Sequence, residues 1–493
     1  MEECKLWING ELVAAQSGAS FENVNPATNE PMCKVHVAGP QDVEDAVTAA
    51  KRGFEVWSAM KGAERGRILF RAAQLLRERN DELAVLEVAD SGKPIQEAQV
   101  VDIISGAEAI EYYAGVAATL HGHSYDLGKG KAWAYTRREP LGICALIGAW
   151  NYPIQIACWK SAPALACGNS VIFKPSELTP ITALKLAEIY KEAGLPDGVF
   201  NVLQGDGSTG KLLTAHPAIT KVSLTGSVPT GKQIMATAAQ SLKHVTLELG
   251  GKSPLLVFED ANLENAISAA LMANFFTQGE ICSNGTRVFV HESLYDTFLQ
   301  RLIKRTQALT IGDPQNPKTQ IGALISKAHM EKVLSYIESG KQEGACLVVG
   351  GDRPKSADEL IGGESFLKGN FLKPAIFVDC DDRMKIAQEE IFGPVMCLFK
   401  FTSEEEAIQR ANDTPFGLAA AVFTQNLSRG HRVAAQLEAG TVWINNYNIT
   451  PIEAPFGGYK QSGIGRENSV ATIEHYTQLK TVYVEMGNVE SSL

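Results

Sequence analysis

After Pro140 the chain settles into one repeating texture: a short β-rich apolar run, then a stretch that reads as helix. The runs are "GICALIGAW", "SVIFKP", "VFNVL", "KVSLTG" and "HVTLEL". Strands of this kind, alternating with helices, suit a parallel sheet covered on both faces. The pattern is a doubly wound, nucleotide-binding one. A second alternation begins near Asn262 and runs to about Gly440 through "TRVFVH", "CLVVGG", "PAIFVD" and "MCLFKF". It predicts a second α/β domain with a boundary near Gly250-Gly251, and 493 residues is too long for a single core. Upstream, the spacing of apolar residues predicts helix from Gln41 to Asn80. "NDELAVLEVADSGKP" continues helically and stops at Gly92-Lys93-Pro94. Lys129 to Tyr135 alternates as an exposed strand, and "QLKTVYVEM" reads as a terminal strand suited to pairing with a partner subunit.

Composition removes several functions. A formal charge of −11 disfavours a nucleic-acid binder, which needs a basic face. Nine cysteines, an odd number without CxxC spacing, fit reduced thiols rather than a disulfide framework. The histidines form no HxxxH pair, so a structural zinc site is not expected. "MEECKLWING" has no apolar signal region, and no apolar run approaches the roughly 20 residues that span a bilayer. A cytoplasmic protein without membrane partners is expected.

Three loops bear on nucleotide binding. "GDGSTG", Gly205 to Gly210, fits G-x-G-x-x-G, yet no acidic residue follows between Lys211 and Leu247 to hold a ribose. A tight strand-to-helix turn explains it better. "GSVPTGKQ", Gly226 to Gln233, resembles a triphosphate loop, but Gln233 replaces the magnesium-binding hydroxyl and Pro229 removes a donor. Its helix N-terminus can still cradle a pyrophosphate. "FKPSE" ends a strand, where Lys174 and Glu177 form either a turn salt bridge or a ribose site.

Cys282, in "FFTQGEICSNGTR", is expected where a helix begins, which would give the thiol thiolate character. A nucleophile also needs a base and an oxyanion hole. Glu248 ends the apolar run "VTLELGG", and Asn151 follows a strand in "AWNYP". Plainer roles fit each residue equally: a packed thiol, a buried ion pair, a turn former. Tyr152 and Trp159, seven apart in a helical stretch, share a face that is either core or binding wall.

Together, "AWNYP", "FKPSE", "LTGS", "LELGGKSP", "GEICSNGTR", "EEIFGP" and "PFGGYKQSGIGRE" occur in an order that resembles the NAD(P)-dependent aldehyde dehydrogenases over nearly the whole chain. The pattern is most similar to the branch acting on betaine aldehyde, with trimethylaminobutyraldehyde and aminoaldehyde enzymes as near relatives. The resemblance implies an α/β fold with a Rossmann-type nucleotide domain (1–121 and 139–249), an α/β catalytic domain (250–440) and a small β oligomerisation element (122–138 and 468–493). Residues 441–467 would return to the active site. It implies a homo-oligomer, a dimer of dimers, that oxidises betaine aldehyde irreversibly to glycine betaine through a thiohemiacetal and a thioester. Cys282 would be the nucleophile, Glu248 the base, Asn151 an oxyanion donor, and Lys160 with Glu467 a proton relay.

For NAD, the resemblance implies Gly148, Trp150, Lys174, Ser176 and Glu177 at the adenosine side. Gly226 and Ser227 would meet the pyrophosphate, and Leu249, Gly250, Glu390 and Phe392 the nicotinamide side; NADP is compatible but opposed by Glu177. An aromatic box of Tyr152, Trp159, Phe276 and Phe456, with Glu453 as countercharge, would take a trimethylammonium group. Phe276 and Phe456 stand where some relatives carry Trp. Potassium is implied at Val24, Asp90, Leu178 and Leu242, with a second site near Lys460 and Gly463. Glu248, needed for hydrolysis, argues against a CoA-acylating enzyme. A thiol hydrolase without dinucleotide would need a histidine base, for which no second motif exists.

Overall fold

A computed structural model describes residues 2–128, 130–489, 491 and 493. Five parallel strands form the centre of an eight-stranded sheet, in the spatial order His244–Glu248, Ile219–Thr225, Ile143–Ile147, Ser170–Lys174 and Phe200–Val202. The chain lays its first three strands in one direction and the next two in the other. The order therefore reverses between Ile143–Ile147 and Ile219–Thr225, and ligands bind outside the carboxyl ends of strands at such a reversal. Every residue of Ser170–Lys174 is buried, as is every residue of the helix Pro153–Ala166 that follows the first strand. Burial on both sides removes the polar alternation, and the buried Lys160 and Lys174 are exceptions that serve the site.

A second sheet of seven strands runs Cys346–Val349, Ala375–Val378, Val395–Phe401, Arg287–His291, Pro254–Val257, Ala419–Phe423 and Thr441–Ile444. All pair in parallel except the edge strand Cys346–Val349. Beyond Thr441–Ile444 the chain crosses back, and Gly463–Ile464 pairs antiparallel with the end of His244–Glu248. A third sheet joins Thr477–Glu485 to Ala132–Pro140 over nine residue pairs, with Ser124–Asp126 beside it. Lys129, the start of the expected exposed strand, lies outside the described residues.

The expected single helix from Gln41 to Asn80 is two helices, Pro40–Ala59 and Gly62–Glu78. Met60 and Lys61 between them are extended, with ψ near 144°. Packing forces the break, not propensity. A Cβ on Gly62 would stand 2.0 Å from the Ala117 carbonyl, so the second helix must restart at a residue without one. Helix Asn80–Ser91 does stop at Gly92, whose φ of +80° is the left-handed cap position.

Candidate active site

The two large sheets meet end to edge. Glu248 closes the last parallel strand of the first sheet, and Pro254 opens the second sheet six residues later. Gly250 and Gly251 are the hinge of this seam. A Cβ on Gly251 would lie 2.6 Å from the Cys282 carbonyl, and one on Gly250 would lie 2.0 Å from Glu390 Oε2. At Gly251 the neighbour is backbone, so only a glycine fits there.

Cys282 sits half-buried in a turn before the strand Arg287–His291, not at a helix N-terminus. The expectation of a helix start fails because the residues before it form a short 3₁₀ turn, Phe276–Gly279, with Thr277 and Gln278 at φ +49° and +44°. Gly279 follows at +77°. The dipole argument for a thiolate falls with it. Burial instead pushes the Cys282 thiol up to about 12, with Glu390 and Glu248 adding to the effect. The N–H groups of Cys282 and Ser283 pull in the opposite direction, as donors beside a sulfur should.

A tunnel of about 200 Å³ brings Cys282, Asn151, Glu248 and Glu467 together with Tyr152, Trp159, Phe276 and Phe456. Asn151 Nδ2 donates to the Glu280 carbonyl at 2.9 Å, which orients the amide and leaves its second N–H available. Glu248 is buried, and neither carboxyl oxygen has a hydrogen-bond partner among the described residues. Burial and then the charge of Glu467 hold its carboxyl well above the ordinary range, while Lys160 and Arg466 oppose this. A Cβ on Gly457 would stand 2.8 Å from Glu248 Oε1. Lys160, fully buried, pairs with Glu467 and donates to Ser223 Oγ at 3.0 Å. Trp159 and Phe456 meet edge to face with centroids 6.1 Å apart. Glu453 does not line the tunnel; it is exposed, and its charge is felt at the Tyr112 hydroxyl. The tunnel also takes in Asn448, Ile449 and Thr450, which no sequence motif marks.

On the other side of the seam, the residues expected at a dinucleotide cluster at the strand ends. Gly148 and Trp150 follow the first strand, and Gly226 and Ser227 follow the fourth, so both flank the reversal. Ser227 caps helix Val228–Ala239 by accepting from Thr230 N at 3.4 Å. Lys174 Nζ lies 3.7 Å from Glu177 and donates to the Pro175 carbonyl at 3.0 Å, while Ser176 Oγ accepts from Leu178 N at 3.2 Å. The "GDGSTG" turn borders the same lysine: a Cβ on Gly210 would lie 3.6 Å from Lys174 Cδ. Trp150 packs edge-on against Phe392 and His329, at 5.1 and 5.2 Å. His329 shares a 2.6 Å hydrogen bond with the Phe392 carbonyl, at a residue whose φ is +61°. Glu390 accepts from Gly251 N at 3.1 Å, and burial raises its carboxyl to about 7. Leu249 N donates to the Ser462 carbonyl at 2.9 Å.

The set expected for potassium is not brought together. Asn23 Nδ2 donates to Asp90 Oδ1 at 2.6 Å and lies 3.5 Å from the Leu178 carbonyl, beside Val24. Leu242, however, precedes the strand His244–Glu248, whereas Leu178 follows the parallel strand Ser170–Lys174, so they lie at opposite ends of the sheet. Asp90 Oδ2 already accepts from Ile181 N at 3.0 Å, and burial raises the carboxyl to about 8. Asp90 thus meets Asn23 and Ile181 through its two oxygens near the Leu178 carbonyl, while Leu242 stands apart from all of them. Lys460 Nζ donates to the Asn412 carbonyl at 2.7 Å, and Gly463 pairs with Glu248.

A model of the aldehyde dehydrogenase family matches residues 12–482. The chain belongs to the aldehyde dehydrogenase family. A betaine aldehyde dehydrogenase of Sinorhizobium fredii (strain NBRC 101917 / NGR234) is 57% identical over 485 residues, 98% of each chain. One of Vibrio vulnificus (strain YJ016) is 56% identical over 491 residues, covering 100% of this chain and 99% of the relative. Among solved structures, an aldehyde dehydrogenase of Bacillus cereus in complex with NAD+ has a TM-score of 0.95 at 44% identity, covering 99% of this chain and 97% of that one. A betaine aldehyde dehydrogenase of Staphylococcus aureus, also with NAD+, has a TM-score of 0.95 at 38% identity over 99% of each chain. Among the described residues, no helix of this aldehyde dehydrogenase is long and apolar enough to cross a membrane.

Proposed function

We propose that the chain is an NAD-dependent dehydrogenase that oxidises betaine aldehyde to glycine betaine. The observation that carries the reading is the convergence of Cys282, Asn151 and Glu248 in a tunnel walled by aromatic rings. Identities of 56–57% over full length to relatives named for betaine aldehyde support the substrate. A trimethylammonium group has no N–H to donate, so aromatic faces bind it better than oxygen acceptors do.

Gly148, Trp150, Lys174, Ser176, Glu177, Gly226, Ser227, Leu249, Gly250, Glu390 and Phe392 would hold NAD. The N-terminus of the helix Val228–Ala239, at the reversal in strand order, suits the pyrophosphate of a dinucleotide. When bound, the nicotinamide supplies the acceptor for the hydrogen and electron pair that leave the aldehyde carbon. Glu177 beside Lys174 would repel a 2′-phosphate and so favours NAD over NADP.

In this reading the Cys282 sulfur adds to the carbonyl carbon. The resulting oxyanion takes hydrogen bonds from the Asn151 amide and the Cys282 N–H. After oxidation the acyl group stays on sulfur as a thioester, and Glu248 takes a proton from the water that releases the acid. Burial favours the protonated forms of both Cys282 and Glu248. Each must give one up, and the buried Lys160–Glu467 pair beside Glu248 offers the exit route.

The third sheet, with Trp133, Leu479 and Tyr483 exposed, is the surface we assign to contact between copies of the chain. The scattered thiols suit a cytoplasmic setting. The reading is tested by NAD-dependent rates on betaine aldehyde, 4-trimethylaminobutyraldehyde and hexanal. A higher kcat/KM for betaine aldehyde is expected. Preference for the longer cation would move the assignment to aminoaldehydes, and reduction of NAD by none of the three would overturn the chemistry.

A further inference from the structure

Two neighbouring strands of the first sheet, Ile219–Thr225 and His244–Glu248, pair in parallel. Side chains alternate between the two faces of a strand, and paired residues share a face. One face carries Val222, Leu224, Val245 and Leu247 into an apolar cluster. The other carries three cross-strand pairs, every member of which is polar: Lys221 with His244, Ser223 with Thr246, and Thr225 with Glu248. Lys221, Ser223, Thr246 and Glu248 are buried, where apolar side chains would stabilise the sheet better. The column opens at both ends. Thr225 and Glu248 line the tunnel, and His244 is exposed at the opposite rim of the sheet.

Contacts join this column to the ion pair beside Glu248. Lys160 reaches Ser223 from the helix Pro153–Ala166, and the Tyr476 hydroxyl lies beside the same serine. Lys221 Nζ stands 5.2 Å from the Tyr476 ring centroid and donates to Thr246 Oγ1 at 2.8 Å. The buried Lys93 and Lys160 each face a carboxylate, whereas Lys221 meets a hydroxyl. Burial lowers its ammonium to about 7; Cys144 and Glu467 oppose this, and the Lys160 charge adds to it. Such an amine gains and loses a proton near neutrality. At the rim the Lys221 charge is felt by both His244 and His475, each lowered mainly by burial. His475 Nε2 accepts from Arg466 N at 3.0 Å, and the Arg466 and Glu474 charges also reach it. A Cβ on Gly465 would lie 2.6 Å from Thr246 Cγ2 and 3.4 Å from His475 Nε2, which places the imidazole near the threonine.

We propose that this polar face is a proton path, in which Lys221 carries protons from the Lys160–Glu467 pair to the imidazoles at the rim. The inference rests on the reading of Glu248 as the hydrolytic base and extends it to solvent. As the C–O bond to water forms and the C–S bond breaks, the electron pair returns to sulfur and one O–H proton passes to Glu248. Glu248 must shed that proton before the next turnover. It crosses to Glu467 and Lys160, passes the paired Ser223 and Thr246 hydroxyls, and lands on the neutral Lys221 amine. From there it leaves through His244 or His475 to water. Lys221 touches no reacting atom, so a pH profile is the appropriate readout.

The test follows NADH by stopped flow with betaine aldehyde as substrate. Lys221→Met should lower steady-state kcat about tenfold at about pH 7 and leave the first equivalent of NADH unslowed. The deficit should shrink below about twofold by about pH 9.5, where hydroxide entering the tunnel takes the proton directly. Thr246→Val, which keeps shape and removes the hydroxyl, should show the same pH pattern with a loss of about threefold. It decides alone if Lys221→Met fails to fold. Either variant with wild-type kcat, with a deficit constant across pH, or with burst and steady state slowed together overturns the inference. Glu248→Gln is the control. Normal turnover by Glu248→Gln overturns the base reading and the proton path together. Arrest of Glu248→Gln after one equivalent, beside an unaffected Lys221→Met, overturns the path alone.

Discussion

Glu97 and Glu248 are both buried carboxyls near the cysteine loop, and burial raises both above the ordinary carboxylate range. One oxygen of Glu97 serves two donors of Thr277, while neither oxygen of Glu248 has a partner among the described residues. An unpartnered buried carboxyl destabilises a fold, by about 1–3 kcal/mol for the lost hydrogen bonding. A saturated one is part of the construction; an unsaturated one that persists is kept for something else. The difference separates a residue that builds the site from one proposed to react in it.

The sharpest break of this comparison is a pair of amide substitutions. Glu248→Gln should cut steady-state turnover about 1000-fold while still releasing a first equivalent of reduced cofactor, because only the hydrolysis of the thioester needs the base. Glu97→Gln keeps an oxygen for Thr277 and should slow burst and steady state together by less than about tenfold. Stopped-flow absorbance distinguishes them, and equal losses would erase the distinction. The next effect concerns the proposed nucleophile. With its thiol held up to about 12, Cys282 in the cofactor-free protein should be alkylated by iodoacetamide about tenfold faster per pH unit from about pH 7 to 9. Peptide mass spectrometry of Cys282 would show it, and a plateau near neutrality would refute it.

A smaller effect is expected at Gly457. A Cβ there would crowd Glu248 Oε1 at 2.8 Å, so Gly457→Ala should slow hydrolysis about tenfold with the burst preserved. The smallest effect is thermal. Glu97 and Asp90 are both raised to about 8 by burial, well above their unfolded values near 4. Their contribution to stability is full below about pH 4 and is lost as pH rises to about 8, since the folded state then binds more protons. The melting temperature should fall over that window by a few degrees, and Glu97→Gln with Asp90→Asn should flatten the slope. A slope unchanged by both substitutions would remove these carboxyls from the account.

The parallel sheet is readable because strands buried on both faces are rich in apolar β-formers without strict alternation, and the loops at its ends carry the motifs that mark Asn151, Glu248 and Cys282. Backbone conformation was not readable. Nothing in "FFTQGE" announces that Thr277 and Gln278 adopt left-handed geometry, since only tertiary hydrogen bonds such as Glu97 to Thr277 impose it. That is why Cys282 was expected at a helix start. Lys93 was equally silent: a lysine between glycine and proline looks like an exposed terminus, yet it is fully buried. Leu242 failed for a related reason, because a backbone-carbonyl site leaves no side-chain signature from which to judge distance. Glu453 stands just before "APFGG" in sequence, yet it lies within the Pro451–Ala454 turn and is exposed.

The return of Gly463–Ile464 to the edge of His244–Glu248 has a consequence for the birth of the enzyme. On the ribosome, every strand of the two large sheets except the edge strand Gly463–Ile464 has emerged once Ile444 has. Glu467, Gly457 and the closing edge strand come later. If the proposed roles hold, a nascent chain should stay inert until synthesis is all but finished, and a product ending near Ile444 should carry Cys282 without turning over an aldehyde.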